Sequence, residues 1–403
     1  MKKKNTMMRK RHSIFFGIFR PIGRIYCRIR YGFTAKVVKL EKGKSHVVIC
    51  NHTTFADQFM VGSYFNKALY FLASDDLLNK WTGRYIIWML GIIPKAKSSK
   101  DLTAVRKAKR VVNEGGNVMV FPEGNRTYSG ELCHVDIAIA KFVKMLKSDL
   151  VIYNLVGGYG VLPRFANKQR KGRMQGLVRE IIPASEVAEM SVETLYEKIK
   201  AGLSVEKEEF SCKSKVRAEN VERAVYICPN CGKMDNITSK GNMIGCKNCD
   251  LEVEYLEDLT LKPMRGNFNF PRIADWYKWQ RAVAIEMFSK EDNDIVLSDN
   301  SINVFQVDNM HLSVLGVFDV KFSEKNGLET FKNGERKLHV PFEDILNMGL
   351  MARTKVIIYT KNTIYHLKEN GVPTSMMKYM NMFYIIKQRK EGVTNDGNLF
   401  LGL

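Results

Sequence analysis

The chain has 403 residues, of which 45% are hydrophobic, and its 63 Lys and Arg against 42 Asp and Glu leave a net charge of +21. That length supports two or three domains and at least one sizeable core. No apolar run approaches the roughly 18 residues needed to cross a bilayer, the best being 85–94, and the excess positive charge calls for an anionic partner.

The first acidic residue is Glu41, and the cations before it run from Lys2, Lys3 and Lys4 through Arg9, Lys10, Arg11, Arg20, Arg24, Arg28 and Arg30 to Lys36 and Lys39. Ile14, Phe15, Phe16, Ile18, Phe19, Ile22, Ile25 and Tyr26 sit among them. Large apolar side chains between cations suit a helix lying in a headgroup layer. Arg20, Arg24 and Arg28 recur every four residues and would form one cationic face. Residues 1–40 therefore read as a basic amphipathic arm for an anionic membrane surface. A signal peptide is disfavoured because Arg20 cuts the apolar stretch and no small-residue cleavage site follows.

Residues 46–50 (HVVIC) and 69–74 (LYFLAS) read as strands, 101–114 as a helix capped by Asp101 and ended by Gly115 and Gly116, and 117–121 and 150–156 as further strands. Strands alternating with helices predict an α/β domain over 41–205, a mixed sheet flanked by helices. The charged stretch 206–223 reads as a linker, 224–257 as a cysteine-bearing module and 258–292 as a helical connector with Trp276 and Trp279. From 293 to 392 the pattern changes to short strands, 294–298, 302–307, 312–322, 337–341, 355–360 and 363–368, closed by a helix over 375–389. Strands followed by one closing helix predict a small, mostly β, pleckstrin-like module.

Two segments carry the chemistry. Asn51-His52-Thr53-Thr54-Phe55-Ala56-Asp57 follows a buried strand, where loops on a rigid scaffold carry function. Asp57 lies about one helical turn beyond His52. A carboxylate there can fix the imidazole tautomer and stabilise the imidazolium, so that the histidine takes the proton of an alcohol directly. Phe121-Pro122-Glu123-Gly124-Asn125-Arg126-Thr127 offers a guanidinium fork suited to phosphate, a hydroxyl donor and a glycine that lets backbone approach a ligand.

Taken together the two segments resemble the conserved blocks of the 1-acyl-glycerol-3-phosphate (lysophosphatidate) acyltransferase family. Asn51, His52 and Asp57 match its first block; Phe121, Pro122, Glu123, Gly124 and Arg126 match its third, with Asn125 for Thr and Thr127 for Ser. In the second block, Gly91 is followed six residues later by Lys97 where the family has Arg, which keeps the charge and loses the bidentate fork. In the fourth, Tyr153 to Gly158 lacks the usual proline. The resemblance covers about 15–200. It implies that His52 and Asp57 are catalytic, and that Asn51, Lys97, Glu123, Gly124, Arg126 and Thr127 bind substrate. It further implies transfer of a fatty acyl group from acyl-carrier protein or acyl-CoA to the hydroxyl of 1-acyl-glycerol-3-phosphate, with no cofactor needed for catalysis. Alternatives are another lysolipid or glycerol-3-phosphate as acceptor, or a membrane-binding scaffold around an inactive core.

Cys228-Pro-Asn-Cys231 and Cys246-Lys-Asn-Cys249 are two CxxC pairs separated by fourteen residues. Four thiolates satisfy a tetrahedral zinc with no open position, which predicts a structural zinc ribbon. The other cysteines, Cys27, Cys50, Cys133 and Cys212, are scattered. This is no disulfide framework, and it fits a reducing compartment, so the expected location is the cytoplasm, peripheral on the inner face of the membrane. Nucleic acid is a disfavoured partner, because the charge is heaviest at the apolar-rich N-terminus instead of on the ribbon.

Overall fold

The structure is a computed structural model describing residues 7–8, 10–74, 91–95, 102–205, 211–291, 294–308 and 311–392. Two compact units divide the chain. The first comprises Met1–Thr127, Glu131–Pro163 and Arg170–Cys212; the second comprises Tyr128–Gly130, Arg164–Gln169 and Lys213–Leu403.

The first unit is built on a seven-stranded sheet in the order β1-β7-β6-β2-β5-β3-β4. Its strands are β1 (Phe33–Ala35), β2 (His46–Cys50), β3 (Leu69–Ser74), β4 (Ile93–Lys95), β5 (Asn117–Val120), β6 (Asp149–Val156) and β7 (Met174–Ile182). β2 is parallel to both β5 and β6, and β7 runs antiparallel to β6. All five residues of β2 are buried because helices cover both faces, which is why HVVIC reads as an unbroken apolar run. Val48 and Cys50 point into one core, with α1 (Lys10–Tyr31) and α2 (Asp57–Tyr64). Val47 and Ile49 point into the other, with α3 (Leu102–Asn113), α4 (Ala138–Leu146), α6 (Ala184–Glu189) and α7 (Val192–Leu203). The short α5 (Gly158–Val161) follows β6.

Within the stretch read as a basic amphipathic arm, helix α1 packs one face against the first unit. His12, Phe16, Gly23, Cys27 and Tyr31 are buried along one face. A Cβ on Gly23 would lie 2.3 Å from Ser63 Oγ, so this glycine permits the close approach of α1 to α2. The expected cationic face is also redistributed. Arg20 donates to the carbonyls of Phe65 and Asn66, and Arg24 Nε donates to Ser63 O at 2.7 Å, so both are spent on the C-terminal end of α2, where the helix dipole favours cations. Arg28 and Arg30 stay exposed. The opposite face carries Ile14, Ile18, Ile22, Ile25 and Ile29, each 61% exposed or more.

Strands β1, β4 and β7 were not legible. β1 and β4 have three residues each, too few for a period-two signal. In β7 a register shift opposite Ile152 and Tyr153 leaves Arg179 and Glu180 side by side, and the alternation is lost. Asp101, the expected cap of α3, lies outside the described residues.

The main segment of the second unit starts at Lys213, in the stretch read as a linker. Within its described part, Arg217, Ala218, Val221 and Arg223 are buried, and Val221–Arg223 form a 3₁₀ turn. The charged residues are not solvated because their guanidinium groups are satisfied: Arg217 Nε donates to Tyr255 O at 2.9 Å, and Arg223 Nε to Glu369 Oε2 at 2.9 Å. A four-stranded antiparallel sheet follows, β8 (Ile237–Lys240), β9 (Met243–Cys246), β10 (Glu252–Tyr255) and β11 (Leu261–Arg265). Helix α8 (Ile273–Phe288) locks onto the start of the cysteine-bearing segment. Gln280 Oε1 accepts from the backbone N–H groups of Tyr226 and Ile227, and Trp276 Nε1 donates to Ile227 O at 3.0 Å.

The last sheet has seven antiparallel strands in the order β15-β14-β13-β12-β18-β17-β16. They are β12 (Leu297–Asp308), β13 (His311–Ser323), β14 (Gly327–Lys332), β15 (Glu335–Val340), β16 (Ile345–Met351), β17 (Lys355–Thr360) and β18 (Ile364–Lys368), closed by α9 (Met377–Glu391). The two strands expected at 294–298 and 302–307 are one strand with an irregularity between Asp299 and Ile302. β14 was missed because it buries Glu329 and Thr330. Fully buried Lys378 of α9 pairs with Asp235 at 2.7 Å and Asp299 at 2.8 Å, tying the segment before β8 to β12 and α9.

Candidate active site

Parallel α/β sheets place ligands at the carboxyl ends of their strands, where the connections diverge. β2 lies between β5 and β6, and the chain leaves its carboxyl end as Asn51-His52. The carboxyl end of β5 leads into Phe121, and that of β6 into Gly157. The two predicted segments therefore meet at one edge of the sheet.

His52 Nδ1 lies 2.8 Å from Asp57 Oδ2. Asp57 is fully buried at the first residue of α2, and its carboxylate accepts from the backbone N–H of Thr53 at 2.7 Å and of Thr54 at 2.9 Å. The Thr54 hydroxyl donates to it at 2.6 Å. This shell holds the carboxylate still and assigns the Nδ1–H tautomer to His52, which leaves the Nε2 lone pair outside the pair. Phe121 stacks on the imidazole at 4.4 Å between centroids, 23° from parallel, and the His52 side chain retains 20% exposure. Thr53, Thr54 and Phe121 were not singled out as site residues. Their signal was present in the motif letters, but their roles depend on a turn whose shape those letters do not specify.

Three residues expected to bind substrate make hydrogen bonds within the protein. Asn51 is buried, and both ends of its amide are used by Leu155: Nδ2 donates to the carbonyl at 2.9 Å and Oδ1 accepts from the N–H at 2.7 Å. It bolts the end of β2 to β6. Glu123 is 1% exposed, and its two oxygens accept the backbone N–H groups of His52 and of Cys133, the latter at 2.8 Å. It anchors the histidine's backbone. Burial pushes its carboxyl up to about 7, against the opposing pull of those two N–H donors. Thr127 is buried, and its N–H donates to His52 O at 3.1 Å. The backbone of His52 is thus held from both sides by the Phe121–Thr127 segment. Gly124 is exposed with φ +63°, a conformation that favours glycine, and Arg126 is half-buried on the same loop. Lys97 lies outside the described residues.

The missing proline of the fourth block has a local counterpart. Gly157 has φ +82°, and a Cβ on Gly158 would lie 2.2 Å from Thr53 Oγ1. Only a glycine lets α5 begin this close to the turn that carries Asp57.

In the second unit, the Sγ atoms of Cys228, Cys231, Cys246 and Cys249 all lie within 4.8 Å of one another. Cys228 and Cys249 are 3.6 Å apart, and Cys231 and Cys246 3.8 Å. A tetrahedron with Zn–S bonds of about 2.3 Å has edges of about 3.8 Å, so the four sulfurs fit a closed four-thiolate metal site. Such a site has no open position for chemistry.

The first unit is a mixed α/β domain with a hydrogen-bonded histidine–carboxylate pair at the carboxyl edge of its central strand. Residues 35–156 match the family model described as Acyltransferase. Among solved structures the chain is similar to the 1-acyl-sn-glycerophosphate (LPA) acyltransferase PlsC from Thermotoga maritima, at 16% identity and a TM-score of 0.40, over 47% of this chain and 78% of that one.

Proposed function

We propose that the chain transfers a fatty acyl group from an acyl thioester, acyl-carrier protein or acyl-CoA, to the free hydroxyl of 1-acyl-glycerol-3-phosphate, giving phosphatidate. The observation that carries this reading is the His52–Asp57 pair, with Nδ1 bound at 2.8 Å and Nε2 left for a substrate. In the proposed step, His52 Nε2 takes the acceptor hydroxyl's proton, and the oxygen attacks the thioester carbonyl. The C–S bond breaks, and the thiolate leaves with the proton returned from His52. Asp57 stabilises the imidazolium formed between the two transfers. Phe121 holds the ring plane, and Asn51, Glu123 and Thr127 hold the backbone beneath it. Arg126 remains the described side chain best suited to the acceptor's phosphate, with Lys97 as its proposed companion.

The isoleucine face of α1 supports a site working at a membrane surface, and the scattered spacing of Cys27, Cys50, Cys133 and Cys212 supports the cytoplasmic side. Arg28 and Arg30 supply attraction to anionic headgroups. No helix among the described residues is long and apolar enough to cross a membrane. The sulfur geometry supports structural zinc in a ribbon. The order of the last sheet, in which first and last strands pair and one helix closes the end, supports a pleckstrin-like module.

The test is purified protein offered a panel of acceptors (1-acyl-glycerol-3-phosphate, glycerol-3-phosphate and other lysolipids) with each thioester donor, read by lipid mass spectrometry. Phosphatidate as the dominant product supports the reading. Preference for another acceptor redirects it, and no product with any pair favours a scaffold.

A further inference from the structure

Two short pieces of the acyltransferase stretch, Tyr128–Gly130 and Arg164–Gln169, belong to the second compact unit. Their partners there are specific. The Tyr128 hydroxyl donates to Arg353 O at 3.3 Å, and the Arg164 guanidinium lies over the Tyr128 ring at 4.2 Å. Arg164 Nε donates to Ala352 O at 2.8 Å, and Arg353 donates back to Ala166 O. Ala352 and Arg353 form the turn between β16 and β17, where Ala352 has φ +53°, a conformation L-residues seldom adopt. Arg223 adds a second grip: it donates to Phe165 O at 2.6 Å and Asn167 Oδ1 at 2.8 Å while paired to Glu369. Tyr128, Arg164, Phe165 and Arg223 are all at most 5% exposed. Buried arginines with this many satisfied donors fix geometry more than they add stability.

Both pieces continue directly from the candidate site. Tyr128 is the next residue after Thr127, whose N–H holds His52 O. Arg164 closes the segment that starts with Gly158 against Thr53, a donor to Asp57.

We propose that the β16–β17 turn is a positioning device for acyl transfer: by holding Tyr128 and Arg164 it fixes the loop that presents Arg126 and the start of α5 to the acceptor. Tyr128 and Arg164 are positioning residues that act through their chain neighbours. This inference rests on the acyl-transfer reading above, and its first readout does not require activity.

The experiment uses the full chain with Arg164→Ala and, separately, Tyr128→Phe, which removes one hydroxyl and keeps the ring. Hydrogen exchange by mass spectrometry is expected to accelerate in peptides covering 121–127 and 157–162 and to stay unchanged in 192–203. In vesicle assays the KM for the lysolipid acceptor should rise about tenfold for Arg164→Ala and less for Tyr128→Phe, with the KM for the donor unchanged. Unchanged exchange at 121–127 in both variants overturns the proposal. So does faster exchange with an unaltered acceptor KM, because the loops would then move without consequence. If the wild-type chain acylates no acceptor, the activity proposed above fails, and exchange alone decides whether the turn holds these loops. If Arg164→Ala does not fold, Tyr128→Phe carries both measurements.

Discussion

His52 and Asp57 form one hydrogen-bonded unit, with Nδ1 and Oδ2 2.8 Å apart and the carboxylate sealed from solvent beneath the Thr53–Thr54 turn. Replacing His52 by Ala removes the proposed base and one donor to Asp57, while the Thr53 and Thr54 donors that hold the turn remain. Turnover should fall by about 10²–10⁴-fold with the thermal midpoint nearly unchanged. Asp57→Asn should do more damage. Its amide would present N–H groups to the N–H donors of Thr53 and Thr54, and it would favour the wrong imidazole tautomer. Loss of turnover should therefore come with a stability loss of roughly 1–3 kcal/mol. Near-full turnover in a folded His52→Ala protein would remove the proposed chemistry.

Glu123 links the site to pH. Its folded-state carboxyl is raised to about 7, chiefly by burial, above the ordinary value of 4.5. The folded chain therefore holds a proton there that the unfolded chain has released between those two values. Stability from this group is present below about pH 4.5 and declines as pH rises toward 7, by on the order of 3 kcal/mol. Urea midpoints of the wild-type chain at pH 5 and pH 8 should differ in that direction. Glu123→Gln should lose this component of the difference and be less stable at pH 5, since an amide cannot accept both the His52 and Cys133 N–H groups. If both proteins show the same pH dependence, Glu123 does not titrate in this window.

The residues legible in the sequence were those whose chemistry is local. His52 and Asp57 lie five residues apart in one turn that leads into α2, and the CxxC pairs announce themselves by spacing. Contacts that depend on distant backbone were not legible. Asn51 and Glu123 look like ligand-facing groups until Leu155, 104 residues on, and Cys133 are seen to occupy them. Gln280 and Lys378 are ordinary helix letters whose partners lie 54 and 79 residues away. The main strands of the first sheet were legible because burial on both faces forces apolar runs. The edge strands were not, because three residues carry no period.

The cysteine cluster should bind one zinc per chain, measured by elemental analysis of protein purified without chelator. Absence of metal would remove the assignment. Trp276 bonds to Ile227, the residue before Cys228, so metal removal should loosen its indole site. Its emission should shift to longer wavelength on chelation, and Trp276→Phe should abolish the part of the shift it contributes. Cys246→Ser should reproduce the shift without chelator while leaving acyl transfer measurable, because the sulfurs lie outside the His52–Asp57 unit.

The role of α1 calls for substitution instead of truncation. Deleting residues 1–30 would strip Phe16 and Cys27 from the core and release the carbonyls held by Arg20 and Arg24, so a loss of membrane binding would mean little. Ile18 and Ile22 are 61% and 62% exposed and can be changed without touching that packing. Fully burying an isoleucine contributes about 1.5–3 kcal/mol. Placing two partly exposed ones in a headgroup layer should contribute about 2 kcal/mol, or roughly 30-fold in vesicle affinity. The double variant Ile18→Glu, Ile22→Glu should therefore pellet poorly with anionic vesicles, keep its thermal midpoint, and retain turnover on detergent-dispersed acceptor. Arg28 and Arg30 add a component that salt screens beyond about 10 Å at 0.1 M, so high salt should weaken binding of the wild-type chain further. Equal vesicle binding by the two proteins at low salt would show that the isoleucine face does not meet the bilayer, and the membrane contact would have to be sought on the C-terminal module.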